Sequence, residues 1–231
     1  MTRRNDSKPD NANLTELNYL GRSYRFSDQL VDSIFYQKVE NYWRKYYGSA
    51  TYTLPFSDSR ALSVYFNMYD TKSSGEARAG DLDNRIWSLS TAATLGAHRF
   101  IIAHQEVSGR SDYTYGIDGL STVLVANSIQ CSDFNYQGEK SWQARYDLNM
   151  ASYGVPGLTF MTRYIKGYGL DTAFTDNGKA WERNIEARYV VQSGVAKNLS
   201  LRVRNATYRS ADRGGDVEEI RVIAECPLNI F

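Results

Sequence analysis

The decapeptide SWQARYDLNM, residues 141–150, alternates without a break. Trp142, Ala144, Tyr146, Leu148 and Met150 share one parity, and Ser141, Gln143, Arg145, Asp147 and Asn149 share the other. A period of two places these sets on opposite faces of an extended strand. A helix cannot separate them, because its neighbours on one face lie three and four residues apart. The chain must therefore build sheet with one bulky apolar face and one face that carries charge near its middle.

The same pattern governs most of the sequence. LTFMTRYIK sets Leu158, Phe160 and Tyr164 against Thr159 and Arg163, and NIEARYVVQ sets Ile185, Ala187, Tyr189 and Val191 against Glu186, Arg188 and Gln192. LSLRVRNATY sets Leu199, Leu201 and Val203 against Ser200, Arg202, Arg204 and Tyr208; EEIRVIAECPLNIF sets Ile220, Val222, Ala224 and Cys226 against Arg221 and Glu225. Upstream, ALSVYFNMY and IWSLSTAATL repeat the pattern with Leu62, Val64, Phe66, Met68 and Trp87, Leu89, Ala93, Leu95 as the apolar sets. Before residue 55 the run SIFYQKVENYWRKYYGSATYTL is rich in aromatics, and its phase stays open.

Connections between these runs alternate in length. Residues 209–217, 168–182, 108–140 and 71–84 read as long connections, and 193–198, 152–157, 96–98 and 55–60 as short ones. A meander of about 11 strands with short turns at one end and long loops at the other has the anatomy of an outer-membrane barrel. Parity requires 108–140 to be one loop. The apolar run LSTVLVANSI within it is then loop structure folded into a lumen rather than a strand.

Composition narrows the function classes. A net charge of +1 over 231 residues argues against a polybasic nucleic-acid surface. Thirteen per cent aromatic residues, including 18 tyrosines, suit strands and boundaries between water and apolar media. There is no apolar run long enough for a membrane helix, which leaves strands as the means of crossing. Cys131 and Cys226 fit no metal spacing and read as two unpaired thiols. His98 and His104 share a face but lie near opposite ends of one strand, and no G-x-S-x-G or phosphate-binding glycine loop occurs. An enzyme is not expected, nor is a cofactor. Periodicity alone also suits a soluble sandwich or a lipocalin-like ligand-binding barrel, in which the apolar face points inward. Aromatics near strand ends, the parity of the turns and the apolar last strand ending in Phe231 favour lipid outside.

With those residues in view, the chain resembles the OprD-type outer-membrane porins, substrate-specific channels of Gram-negative bacteria. The resemblance rests on LGAHRFIIAHQEVSG, EKSWQARYDLNMASYGVPGLTFMTRYIKG, GKAWERNIEARYVVQSGVAKNLSLRVRNATYRS and EIRVIAECPLNIF. It continues upstream through LNYLGRSYRFSDQL, ENYWRKYYG and AGDLDNRIWSL. Family members resemble YPL where this chain has Cys226, Pro227 and Leu228. The resemblance implies an all-β, antiparallel transmembrane β-barrel of 18 strands, of which about 11 lie here. Residues 1–16 are then the remnant of an outer loop, 17–231 the C-terminal strands, and 108–140 an inward-folded constriction loop. The start, MTRRNDSKPDNANLTEL, lacks the apolar region of a signal peptide, so the expectation is a truncated porin or a C-terminal part.

On the phase above, Arg145, Arg163, Arg188, Arg202, Arg204 and Arg221 face the lumen against Asp147, Glu186 and Glu225. Arg202 and Arg204 project from one face about 7 Å apart. Guanidinium groups present planar forks matched to carboxylate, and a row of them offers successive weak sites. The resemblance implies a basic track of this kind for small carboxylate substrates, either basic amino acids or aromatic and other organic acids. The alternative is that the arginines pair with those acids and stiffen the wall. By the same resemblance Tyr115, Asp118 and Ser121 narrow the constriction. Outer-membrane lipid and the barrel-assembly machinery, the latter through the strand ending in Phe231, are the partners implied.

Overall fold

The structure, a computed structural model, describes residues 16–115, 123–211 and 215–227. Eleven strands occur in it. They are β1 (Leu17–Arg25), β2 (Leu30–Val39), β3 (Trp43–Ser57), β4 (Arg60–Ser73), β5 (Asp83–Leu95) and β6 (His98–Gly109), followed by β7 (Lys140–Asn149), β8 (Leu158–Thr172), β9 (Thr175–Val190), β10 (Ser200–Ser210) and β11 (Val217–Glu225). They form one sheet in sequence order, and every pairing is antiparallel. The expected all-β meander is thus the observed one. β1 and β11 each have a single neighbour, so the sheet is an unclosed piece of barrel wall.

The connections alternate between two ends as the parity reading expects, but their lengths are less regular. Only Ala173 and Phe174 separate β8 from β9, where residues 168–182 read as a long loop. The polar run Thr175–Lys179 instead continues the ladder against Tyr168–Thr172, with register shifts around Leu170. Backbone pairing needs no apolar side chain, so a strand that emerges from lipid loses its two-faced sequence signature while keeping its hydrogen bonds. Thr172 Oγ1 closes the tip by accepting from the N–H groups of Phe174 and Thr175 at 3.2 and 3.3 Å.

One face of the sheet is covered and the other is bare. The bare face carries the apolar parity, with Ile34 at 70%, Ile220 at 71% and Val222 at 77% exposure, together with Leu89, Ile102, Phe160 and Leu201. A water-soluble sheet does the reverse, burying its large side chains. Here the polar parity is the covered one, beneath residues 110–115 and 123–139. Residues 123–139 contain no strand and pack onto it in two clusters. Tyr113, Tyr115, Val123 and Val125 meet Tyr69, Ile86 and Val107, while Cys131 and Phe134 meet Ile165, Leu170, Ala180, Ala206 and Tyr208.

The phase of β2 and β3 is also resolved. Tyr36 and Tyr46 pack on the bare face with ring centroids 4.9 Å apart, whereas Phe35, Tyr47 and Tyr69 form a line of rings on the covered face. Aromatics on both faces erased the alternation there.

Candidate functional site: a basic wall beneath the 110–139 loop

A loop laid across a sheet must find partners for its own backbone groups. The polar parity supplies them. Gln105, fully buried, donates to the carbonyls of Asp133 and Phe134 at 2.8 Å each and accepts from the Asn127 N–H at 2.9 Å. Glu182, also fully buried, accepts from the N–H groups of Cys131 and Ser132 at 3.0–3.2 Å and from the Asn184 amide at 2.7 Å. Ser88 Oγ accepts from Ala126 N–H at 3.0 Å, and Lys45 Nζ donates to the Thr114 carbonyl at 2.5 Å. Serine, glutamine and glutamate on this face are therefore anchors for the loop.

The six arginines lie together beside this anchored zone, on the covered face of β7 to β11. Arg145 and Arg163 are direct register partners, as are Arg188 and Arg202, and Arg204 and Arg221. Their pairing is uneven. Arg145 grips Asp147 with Nε at 3.0 Å and Nη2 at 2.8 Å. Glu186 is shared, at 2.5 Å from Arg204 and 3.7 Å from Arg202, and Arg202 also lies 3.4 Å from Glu225. Arg221 pairs with Glu219 on its own strand. Arg163 and Arg188 have only neutral hydrogen-bond partners among the described residues, Asn184 at 2.9 Å and Ser200 at 2.8 Å.

Two clefts run along this wall. One, of about 440 Å³, is lined by Tyr47, Tyr65, Asn67, Gln143, Arg145 and Arg163 and lies against loop residues 124–126. The other, of about 370 Å³, lies toward the short-turn end and holds Arg99, Arg145, Asp147, Glu186 and Arg188. Arg145 borders both, so guanidinium groups extend from the underside of the loop toward the turns. Arg99 is a member that the alternation did not single out. It shares the parity of buried Ala103, Gln105 and Val107, donates to Tyr65 Oη at 3.2 Å and stands opposite Asp147 in register. Its signal was hidden because Ile101 and Ala103 give that face of β6 an apolar look.

Tyr115 is 6% exposed; its hydroxyl bonds to Asp133 and accepts from the Asn135 amide at 2.7 Å, inside the loop. Asp118 and Ser121 lie outside the described residues. Cys131 is buried and Cys226 exposed, both as free thiols, and burial pushes the Cys131 thiol up to about 12. His98 and His104 fall on the bare face, His98 bonded to the Tyr146 and Tyr153 hydroxyls at 2.7 and 3.1 Å and His104 packed between Trp87 and Trp142.

Residues 2–230 match a family described as outer membrane porin, OprD family. Porin D of Pseudomonas aeruginosa is 46% identical over 235 residues, covering 92% of this chain and 53% of that protein. Porin-like protein GalP of Pseudomonas putida is 33% identical over 217 residues, covering 93% and 51%. The crystal structure of Pseudomonas aeruginosa OprD superposes with a TM-score of 0.86 at 45% identity, covering 93% of this chain and 61% of that one. OccK10 (OpdN) of the same organism gives 0.85 at 40% identity, covering 90% and 58%. This chain spans about half the length of the curated relatives it matches. Those relatives are channel proteins rather than enzymes, and they place the bare apolar face against lipid. The chain belongs to the OprD family of outer membrane porins of Gram-negative bacteria.

Proposed function

We propose that this chain supplies the basic wall and the constriction loop of a channel for passive, selective diffusion of small carboxylate-bearing nutrients, basic amino acids or aromatic and other organic acids. The observation that carries this reading is the uneven pairing of the arginines. Among the described residues Arg163 and Arg188 have no ion-pair partner, and they border the two clefts, so each offers a fork to a passing carboxylate. Arg145, Arg202, Arg204 and Arg221 are held by acids and act as the weaker steps that a conducting path needs. The loop narrows the path, with Tyr115 bracing it from within; Asp118 and Ser121 stay candidates for the constriction by family resemblance alone. Diffusion of this kind needs no cofactor. The C-terminal segment, β11 with the residues that follow it to Phe231, engages the barrel-assembly machinery.

The test is the reversal potential of the intact porin in a salt gradient. Replacing Arg163 and Arg188 together by Gln is expected to lower anion preference severalfold and to weaken block by a small carboxylate. Replacing Arg221 alone is expected to change little. An unchanged reversal potential in the double variant overturns the arginine path. The second reading is a remnant that conducts nothing, and two unpaired sheet edges favour it for the chain by itself. Single-channel recording of the 231-residue chain separates the two.

A further inference from the structure

On the bare face, at the end of the sheet from which the β6–β7 loop emerges, three cations stand side by side on three adjacent strands. Lys38 and Arg44 are direct register partners between β2 and β3, and Arg44 and Lys72 between β3 and β4. All three are exposed. Like charges directly opposite on a sheet destabilise it, and neighbouring strands are only about 4.8 Å apart. Elsewhere on the same rim, register partners have opposite charge. Asp70 meets Arg85 at 2.8 Å, and Glu106 meets Lys140 at 3.1 Å. In the row itself, Lys72 has Asp83 at 3.8 Å, while Lys38 and Arg44 have no ion-pair partner among the described residues. Glu40, two residues beyond Lys38, and Glu16, diagonal to it, are the other carboxylates on this side. Sheet stability does not explain the row.

Its depth does. Tyr36 and Tyr46, two residues inward from Lys38 and Arg44, pack together on the lipid side with ring centroids 4.9 Å apart. Amphipathic rings of this kind lie at headgroup level. Two residues of strand place the cations about 7 Å further out, the level of headgroup phosphates. The longest connection, between Gly109 of β6 and Lys140 of β7, leaves the sheet at this end, and the long loops of such barrels are extracellular, so this end faces the outer leaflet, which is built from phosphorylated glycolipid. The geometry points to a lipid site at Lys38, Arg44 and Lys72, with the phosphate of an outer-leaflet glycolipid headgroup as its occupant. The two lysines supply point charges and Arg44 supplies the fork between them.

The site lies on the opposite face from the arginine path, so lipid retention and conductance can fail independently. Native mass spectrometry of the intact porin in detergent, titrated with bisphosphorylated lipid A, tests it. The lipid is expected to be retained, and the triple variant Lys38→Gln, Arg44→Gln, Lys72→Gln to bind it about tenfold more weakly or worse. Lipid A stripped of both phosphates is expected to match the variant's weak binding, and inorganic phosphate at the same concentration to leave the intact lipid bound. Equal retention by the triple variant, equal binding of the dephosphorylated lipid, or displacement by inorganic phosphate overturns the site. If the triple variant does not fold, Arg44→Gln alone must still weaken retention measurably.

Discussion

At the scale of single residues, what each arginine touches decides how it will respond to substitution. Glu186 holds Arg202 and Arg204 together, so Glu186→Gln releases two guanidinium groups into the wall. Anion preference of the intact porin is expected to rise severalfold, read as a shift in reversal potential opposite to that from neutralising Arg163 and Arg188. Two glycines give a contrast in packing. A Cβ on Gly167 would run into the Glu139 carboxylate and lie 3.0 Å from the Phe134 ring, whereas one on Gly48 meets nothing within 4 Å. Gly167→Ala is expected to destabilise the loop's seat by about 1–3 kcal/mol, an overpacking cost, and Gly48→Ala to be near neutral. Urea midpoints of the two variants, folded in the same detergent, check this.

At the scale of elements, residues 123–139 are bound into the wall they cover. Glu182 accepts two loop N–H groups from full burial, so Glu182→Ala leaves those donors unpaired. Amide exchange at residues 131–134 is expected to accelerate about tenfold or more while strand amides stay protected. Glu139 adds a pH dependence. Burial, with the nearby charge of Asp112, pushes its carboxyl from 4.5 up to about 8, and the Tyr136 N–H at 3.1 Å opposes this only in part. The folded loop therefore holds the proton more tightly than the unfolded chain. Its contribution is complete below pH 4.5 and is lost as pH rises through about 8. Protection factors at residues 134–139, which remove the intrinsic rise of amide exchange with pH, are expected to fall over that window in the parent protein and to stay flat in Glu139→Gln.

The meander, its strand number and the common face of the six arginines were legible in the sequence. A period of two survives wherever one face meets lipid, as from Trp142 to Leu148. Beyond the phase of β2 and β3, four things were not legible. The ladder from Thr175 to Lys179 stands on backbone pairing alone, Arg99 shares its face with Ile101 and Ala103, and the acids that hold individual arginines depend on cross-strand register. Most of all, alternation marks Gln105, Glu182 and Arg163 alike as polar. Only the fold separates the residues that hold the loop from those left to face the cleft.

At the scale of the whole molecule, the sheet is apolar on its bare side and unpaired at β1 and β11. Such a surface with two open edges is expected to self-associate in buffer and to run as a defined species only in micelles, which size-exclusion chromatography with and without detergent will read. The loop's anchoring has a consequence for how members of such a family could diverge. A foreign loop grafted between Gly109 and Lys140 would meet Gln105, Glu182 and Ser88 already shaped for another backbone, and each unmatched group would be left buried without a partner. Loop and wall are thus inherited as one piece: a new loop needs a new wall behind it before it can seat.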